Sequence, residues 1–128
     1  MMRTVSIDGR ELRMRATARI PFLYREFFNR DIFADIQGLM DGAAKKSIND
    51  TEVATTERAA WVLVLNAEPE QLEAARRTDA REAFELWLDG FENILTFFQA
   101  VYPVLDIWIE NVSALATPKK NKERQSDR

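Results

Sequence analysis

Apolar residues recur every second position at the start of the chain and follow helical turns thereafter. Val5 and Ile7 alternate with Ser6 and Asp8, and Leu12, Met14 and Ala16 alternate with Arg13 and Arg15, the period of a strand covered on one face. Between the two runs stands Asp8-Gly9, a dipeptide that accepts the positive φ angles of a two-residue hairpin turn. With that turn Ile7 faces Arg10 and Val5 faces Leu12, so the apolar residues share one face and Arg13 and Arg15 the other. A hairpin alone is marginal in water, so this face needs helices to lie on.

Pro21 suits a first helical position, where its missing N–H costs nothing. Ile20, Leu23, Tyr24, Phe27 and Phe28 then fall on one helical face, with Arg25 and Glu26 opposite. Asn29-Arg30-Asp31 interrupts the pattern and offers Asp31 as the cap of a second helix carrying Ile32, Phe33, Ile36, Leu39 and Met40, which Gly42 should end. Residues 43–51 are polar and read as a loop. A helix starting at Asp50 or Thr51 turns Val53, Ala60, Trp61, Val64 and Leu65 inward and stops before Pro69. The charged stretch "PEQLEAARRTDARE" reads either as a short exposed helix or as a mobile connection.

Asp79 followed by Glu82 resembles a capping box, and Phe84, Trp87, Leu88, Phe91, Ile94, Leu95 and Phe98 make the strongest amphipathic run in the chain. Gly90 inside it marks a close helix crossing or a break. Pro103 opens a last helix with the stripe Leu105, Trp108, Val112 and Leu115. The expected fold is mainly α: a single domain over residues 1–116, with a hairpin at 3–17 packed on a compact bundle of about five short helices between 20 and 115. Residues 117–128, "TPKKNKERQSDR", are expected to form a disordered polar tail.

Composition narrows the chemistry. Across 128 residues, 46% hydrophobic and 30% charged, the chain is rich enough in apolar side chains for one real core. It has no cysteine and no histidine, which removes disulfides, thiol nucleophiles, imidazole-based catalysis and zinc sites built on either ligand. No catalytic, cofactor-binding or metal site is expected, and the reading is non-enzymatic. Glu82, Glu85, Asp89 and Glu92 line one helical face and are read as its solvated side rather than as ligands for a hard cation. Arginines dominate the first thirty residues, but the net charge of −3 argues against a dedicated nucleic-acid binder. "MMRTVSIDGRELRMRATAR" lacks the apolar run of a signal peptide, and "AAWVLVL" falls far short of the ~20 residues of a membrane helix. No membrane contact is expected, and the location is read as cytoplasmic.

Most aromatic residues at helical spacing belong to the core. Phe22, Leu86, Phe97, Tyr102 and Ile109 fall beside or off the main stripes. They extend the core or form a surface shared with another chain, including a second copy, and they are the candidate partner contacts.

Taken together, the hairpin and helical pair "VSIDGRELRMRATARIPFLYREFFNRDIFADIQGL", then "ERAAWVLVLNAEP", then "AFELWLDGFENILTFFQAVYPVLDIWIENV" resemble the tail assembly chaperones of long-tailed phages and prophages. The shared pattern covers most of the chain to about Val112, and Gln71 to Arg81 carries none of it. The resemblance implies a non-enzymatic protein of the infected host's cytoplasm, absent from the mature virion. It would keep the tape-measure protein soluble and help recruit tail-tube protein through an extended product of a translational frameshift. Lys119-Lys120-Asn121 fits an A-rich slippery run for such a shift. The rival readings are a structural tail component of the virion and a small nucleic-acid-associated regulator.

Overall fold

Strands β1 (Met2–Ile7) and β2 (Arg10–Arg15) pair antiparallel with Val5 opposite Leu12 and Ile7 opposite Arg10, the register the Asp8-Gly9 turn demands. Both turn residues have positive φ, 55° at Asp8 and 76° at Gly9, as a twist-matched two-residue turn requires. This is a computed structural model of the chain, and it describes residues 1–116, with side chains as far as Ala114. The predicted tail, with Lys119, Lys120 and Asn121, lies outside the described residues, as does the Leu115 side chain.

Among the described residues seven helices follow: α1 (Ile20–Phe28), α2 (Ile32–Ala44), α3 (Asp50–Ala67), α4 (Pro69–Arg77), α5 (Ala80–Leu88), α6 (Thr96–Gln99) and α7 (Val101–Ala116). Their boundaries follow local chemistry. Asn29 ends α1 in the left-handed conformation, its N–H reaching Arg25 O at 2.8 Å. The Asp31 carboxylate then accepts from Phe33 N and starts α2. Asn49 and Glu52 close a capping box at α3, and Asp79 accepts from Arg81 N and Glu82 N to begin α5.

Gly42 does not end its helix: α2 runs on to Ala44, and Lys46, at φ 54°, makes the left-handed stop. Gly42 is needed for space instead, because a Cβ there would sit 3.0 Å from the Ser47 carbonyl oxygen and 2.9 Å from Glu52 Cγ. The charged stretch after Pro69 is a helix, docked through Leu72 and Ala75.

The core is organised around α3. Every residue from Ala59 to Ala67 is buried, so the second half of α3 is apolar on all sides but for Asn66 and is interior, rather than the one-sided helix predicted. Val53 is only partly buried. Ile7, Leu12 and Met14 of the hairpin lie within this core. Asn66 secures the junction, its Nδ2 donating to Arg15 O at 2.9 Å and Thr17 Oγ1 at 3.1 Å. Aromatic edges join α1, α3 and α5, with Trp61 against Phe27, Phe28 and Phe84 at 5.2 to 5.7 Å.

A polar network fixes α1, α2 and α3 to one another. The Tyr24 hydroxyl donates to Asp35 Oδ2 at 2.7 Å and accepts from Arg58 Nε at 2.9 Å. Arg30 grips both oxygens of Asp35, at 2.7 and 3.0 Å. Arg30 above all holds the Asp35 carboxyl down at about 2, against the penalty of burial, and Tyr24 and Arg58 assist. Burial pushes the Tyr24 phenol up to about 12; the Arg58 hydrogen bond opposes that rise and the one to Asp35 adds to it.

The long amphipathic run from Phe84 to Phe98 is not one helix. It stops at Leu88, passes through an elbow at 89–95 and resumes at Thr96. The hairpin turn holds the elbow: Asp8 Oδ2 accepts from Glu92 N at 3.2 Å, Arg10 donates to Gly90 O at 3.0 Å, and the Arg10 guanidinium lies 4.5 Å from the Phe91 ring centroid. Pro103 has no N–H for the carbonyl of Gln99, which accounts for the second interruption between α6 and α7.

Candidate interaction surface

Helices α2 and α7 both rest on α3 but leave a channel between them. Ile32, Phe33 and Ile36 form one wall, Val104, Ile107, Trp108 and Val112 the other, with Ala59 and Leu63 as the floor. Ile20, Pro21 and the link at Ala16–Ala18 close one end. The volume is about 620 Å³, within the range of sites that take a ligand or several side chains of a partner. Phe33 and Trp108 meet across it at 5.7 Å, edge to face. Phe33 is 59% exposed, although the pattern in α2 had placed it inward. The polar contributions are few, chiefly Thr17 and Asn111, whose Nδ2 points to Ala16 O at 3.4 Å. Such a channel can bury apolar side chains but supplies no convergent acid, base or nucleophile.

A smaller groove of about 440 Å³ lies between α3, α4 and α5, walled by Trp61, Leu65, Ala75, Ala83 and Trp87, with Leu86 at its edge.

The candidate partner contacts are not one site. Phe22 is exposed on α1 and Leu86 on α5, while Tyr102 and Ile109 are exposed on a common face of α7. Phe97 must be removed from the set: it is 4% exposed and packs against Phe91 and Trp87 in the core. The elbow explains the correction, because seven non-helical residues reset the rotation of the chain and turn Phe97 inward in place of Phe98. Ile94, 96% exposed, and with it Leu95 and Phe98, belong by periodicity to the core stripe but face outward. In α7 the inward face is Val101, Val104, Leu105 and Ile107; Trp108 is partly covered and Val112 exposed.

The acidic face does not assemble either. Glu85 pairs with Arg81 at 3.0 Å, and Glu92 stands beyond the end of α5 in the elbow. Among the described residues no three acidic side chains converge to hold a metal ion. Several N-terminal arginines serve the fold: Arg3 pairs with Glu110, Arg13 with Glu68, Arg30 with Asp35, and Arg10 holds the elbow. No helix among the described residues is long and apolar enough to cross a membrane.

Comparison of the chain with protein-family models, curated proteins and solved structures found no match.

Proposed function

We propose that this protein is a tail assembly chaperone of a long-tailed phage or prophage. It holds the tape-measure protein soluble in the cytoplasm of the bacterial host and helps bring tail-tube subunits to it, and it is not retained in the mature virion. A longer frameshifted product, with Lys119-Lys120-Asn121 encoded at the slip site, carries the tail-tube contact. The observation that carries the reading is the open apolar channel between α2 and α7, of a size and lining suited to apolar residues on one face of a client helix. The ordered succession of the hairpin, the "ATAR" helical pair and the "FELWLDGF" segment adds the family resemblance.

Co-expression with the tape-measure protein of a long-tailed phage whose genome encodes this chain tests the proposal. The wild-type protein should raise the soluble fraction of the tape-measure protein several-fold. Phe33→Glu and Val112→Glu, both at exposed positions that a folded protein tolerates, should abolish the gain. No effect of the wild type, or an undiminished effect of both variants, would refute it. Mass spectrometry of purified virions that showed the chain at stoichiometric level would favour a structural tail component instead.

A further inference from the structure

The side of α7 turned away from the channel carries a second apolar surface. Phe98, Tyr102 and Ile109 follow one another at i, i+4 and i+11, and all are about half exposed, at 46%, 54% and 43%. Ile94 and Leu95 extend the ridge into the elbow. Its charge is mainly acidic: between residues 80 and 116 the chain carries Glu82, Glu85, Asp89, Glu92, Asp106 and Glu110 against Arg81 alone, and the hairpin adds only Arg3, spent on Glu110, and Arg10, spent on the Gly90 carbonyl and the Phe91 ring. Glu85 and Glu110 are neutralised by Arg81 and Arg3. Asp89, Glu92 and Asp106 form no ion pair among the described residues, and Asp106 stands on the ridge itself, one turn from both Tyr102 and Ile109.

We infer that this ridge docks a basic amphipathic helix of another protein, its apolar stripe on Phe98, Tyr102 and Ile109 and its lysines or arginines facing Asp106, Glu92 and Asp89. Charge complementarity selects that occupant. A second copy placed ridge to ridge would bring like charges together, and nucleic acid would be repelled. Apolar area supplies the affinity, while the carboxylates set orientation and make binding sensitive to salt. The surface is separate from the α2–α7 channel and does not depend on the function proposed for it.

The test uses the full chain and a labelled helical peptide of about 18 residues, with leucines on one face and lysines flanking them. An otherwise identical peptide with glutamates flanking the leucines is the counterpart, and a scrambled lysine peptide is the control. Fluorescence anisotropy should show the lysine peptide binding at least about tenfold tighter than either other peptide, weakening as salt rises from about 50 to about 500 mM. Tyr102→Ser with Ile109→Ser should abolish binding. Asp106→Lys with Glu92→Lys should reverse the preference toward the glutamate peptide, a result that loss of fold cannot produce.

Equal binding of the lysine and scrambled peptides, or no reversal in the lysine variant, would overturn the inference. Loss of binding on Phe33→Glu alone would place the peptide in the channel and overturn it as well. Dimerisation of the free protein abolished by Tyr102→Ser with Ile109→Ser would assign the ridge to a second copy. Peptide binding that tightens more than about tenfold on replacing Lys119, Lys120, Lys122 and Arg124 by serine would assign it to the chain's own basic segment.

Discussion

Replacing Asp35 by asparagine removes the charge that holds α1, α2 and α3 together while keeping the shape of the side chain. Asp35 accepts from Tyr24, from two atoms of Arg30 and from Arg58 at 3.3 Å, and its side chain is 11% exposed. A carboxyl lowered from 3.8 to about 2 favours the ionised folded form by roughly 2 kcal/mol. Arg30 is half exposed, and solvent screening reduces that contribution to about 1 to 2 kcal/mol. Because the folded value lies below the unfolded one, the stabilisation is complete above the ordinary carboxyl range and is lost as pH falls through 3.8 toward about 2. Urea unfolding followed by far-ultraviolet circular dichroism at several pH values gives the comparison. At pH 7 Asp35→Asn should cost about 1 to 3 kcal/mol, since Arg58, largely buried, also loses its partner. Between neutral and strongly acid pH the wild type should lose about 1 to 2 kcal/mol more than the variant. A variant as stable as the wild type at neutral pH, or parallel pH profiles for the two, would refute the role assigned to the network.

Gly90→Ala places a methyl 2.5 Å from the Arg10 guanidinium and should cost about 1 kcal/mol by differential scanning calorimetry, and clearly less in an Arg10→Ala background, where the clash is gone. Asn66→Ala leaves the Arg15 carbonyl without its side-chain donor and should cost about 1 to 2 kcal/mol, with hydrogen exchange accelerated in β2 before the rest of the domain. Leu23→Ala empties a fully buried position and should cost about 2 to 5 kcal/mol in urea unfolding, whereas Phe22→Ala next to it, exposed on α1, should change stability by less than about 0.5 kcal/mol.

The hairpin was legible to the register because Asp8-Gly9 and a period of two leave only one arrangement that puts Ile7, Leu12 and Met14 on one face. The starts of α1, α2 and α5 were legible for a similar reason: Pro21, Asp31 and Asp79 act locally, on the next two or three residues; the start of α3 was legible as Asp50 or Thr51, but not the Asn49 cap that makes it. What periodicity could not see was contact from a distant segment. Nothing between Phe84 and Phe98 says that Asp8 and Arg10 will hold the chain out of a helix there, although Gly90 marked the place. The error then carried through the rotation of the chain and exchanged Phe97 for Phe98. Ile109 was legible as lying off the stripe because α7 is regular on both sides of it, and Tyr102, in the first turn of α7, lies two turns before it on the same face. Phe33 was missed because a channel between two helices is a property of their separation, which no single helix encodes.

The grip of the hairpin turn on the elbow joins residues 84 positions apart, and Arg3 reaches Glu110 across 107. Contacts of such long range slow folding, since a large loop must close before they form. During synthesis the strands can be covered once α3 has been made, whereas the hairpin turn has to wait for the elbow and Arg3 for Glu110. A nascent chain cut short before Gly90 would therefore carry its strands on α3 but a hairpin turn whose Asp8 and Arg10 have nothing to hold.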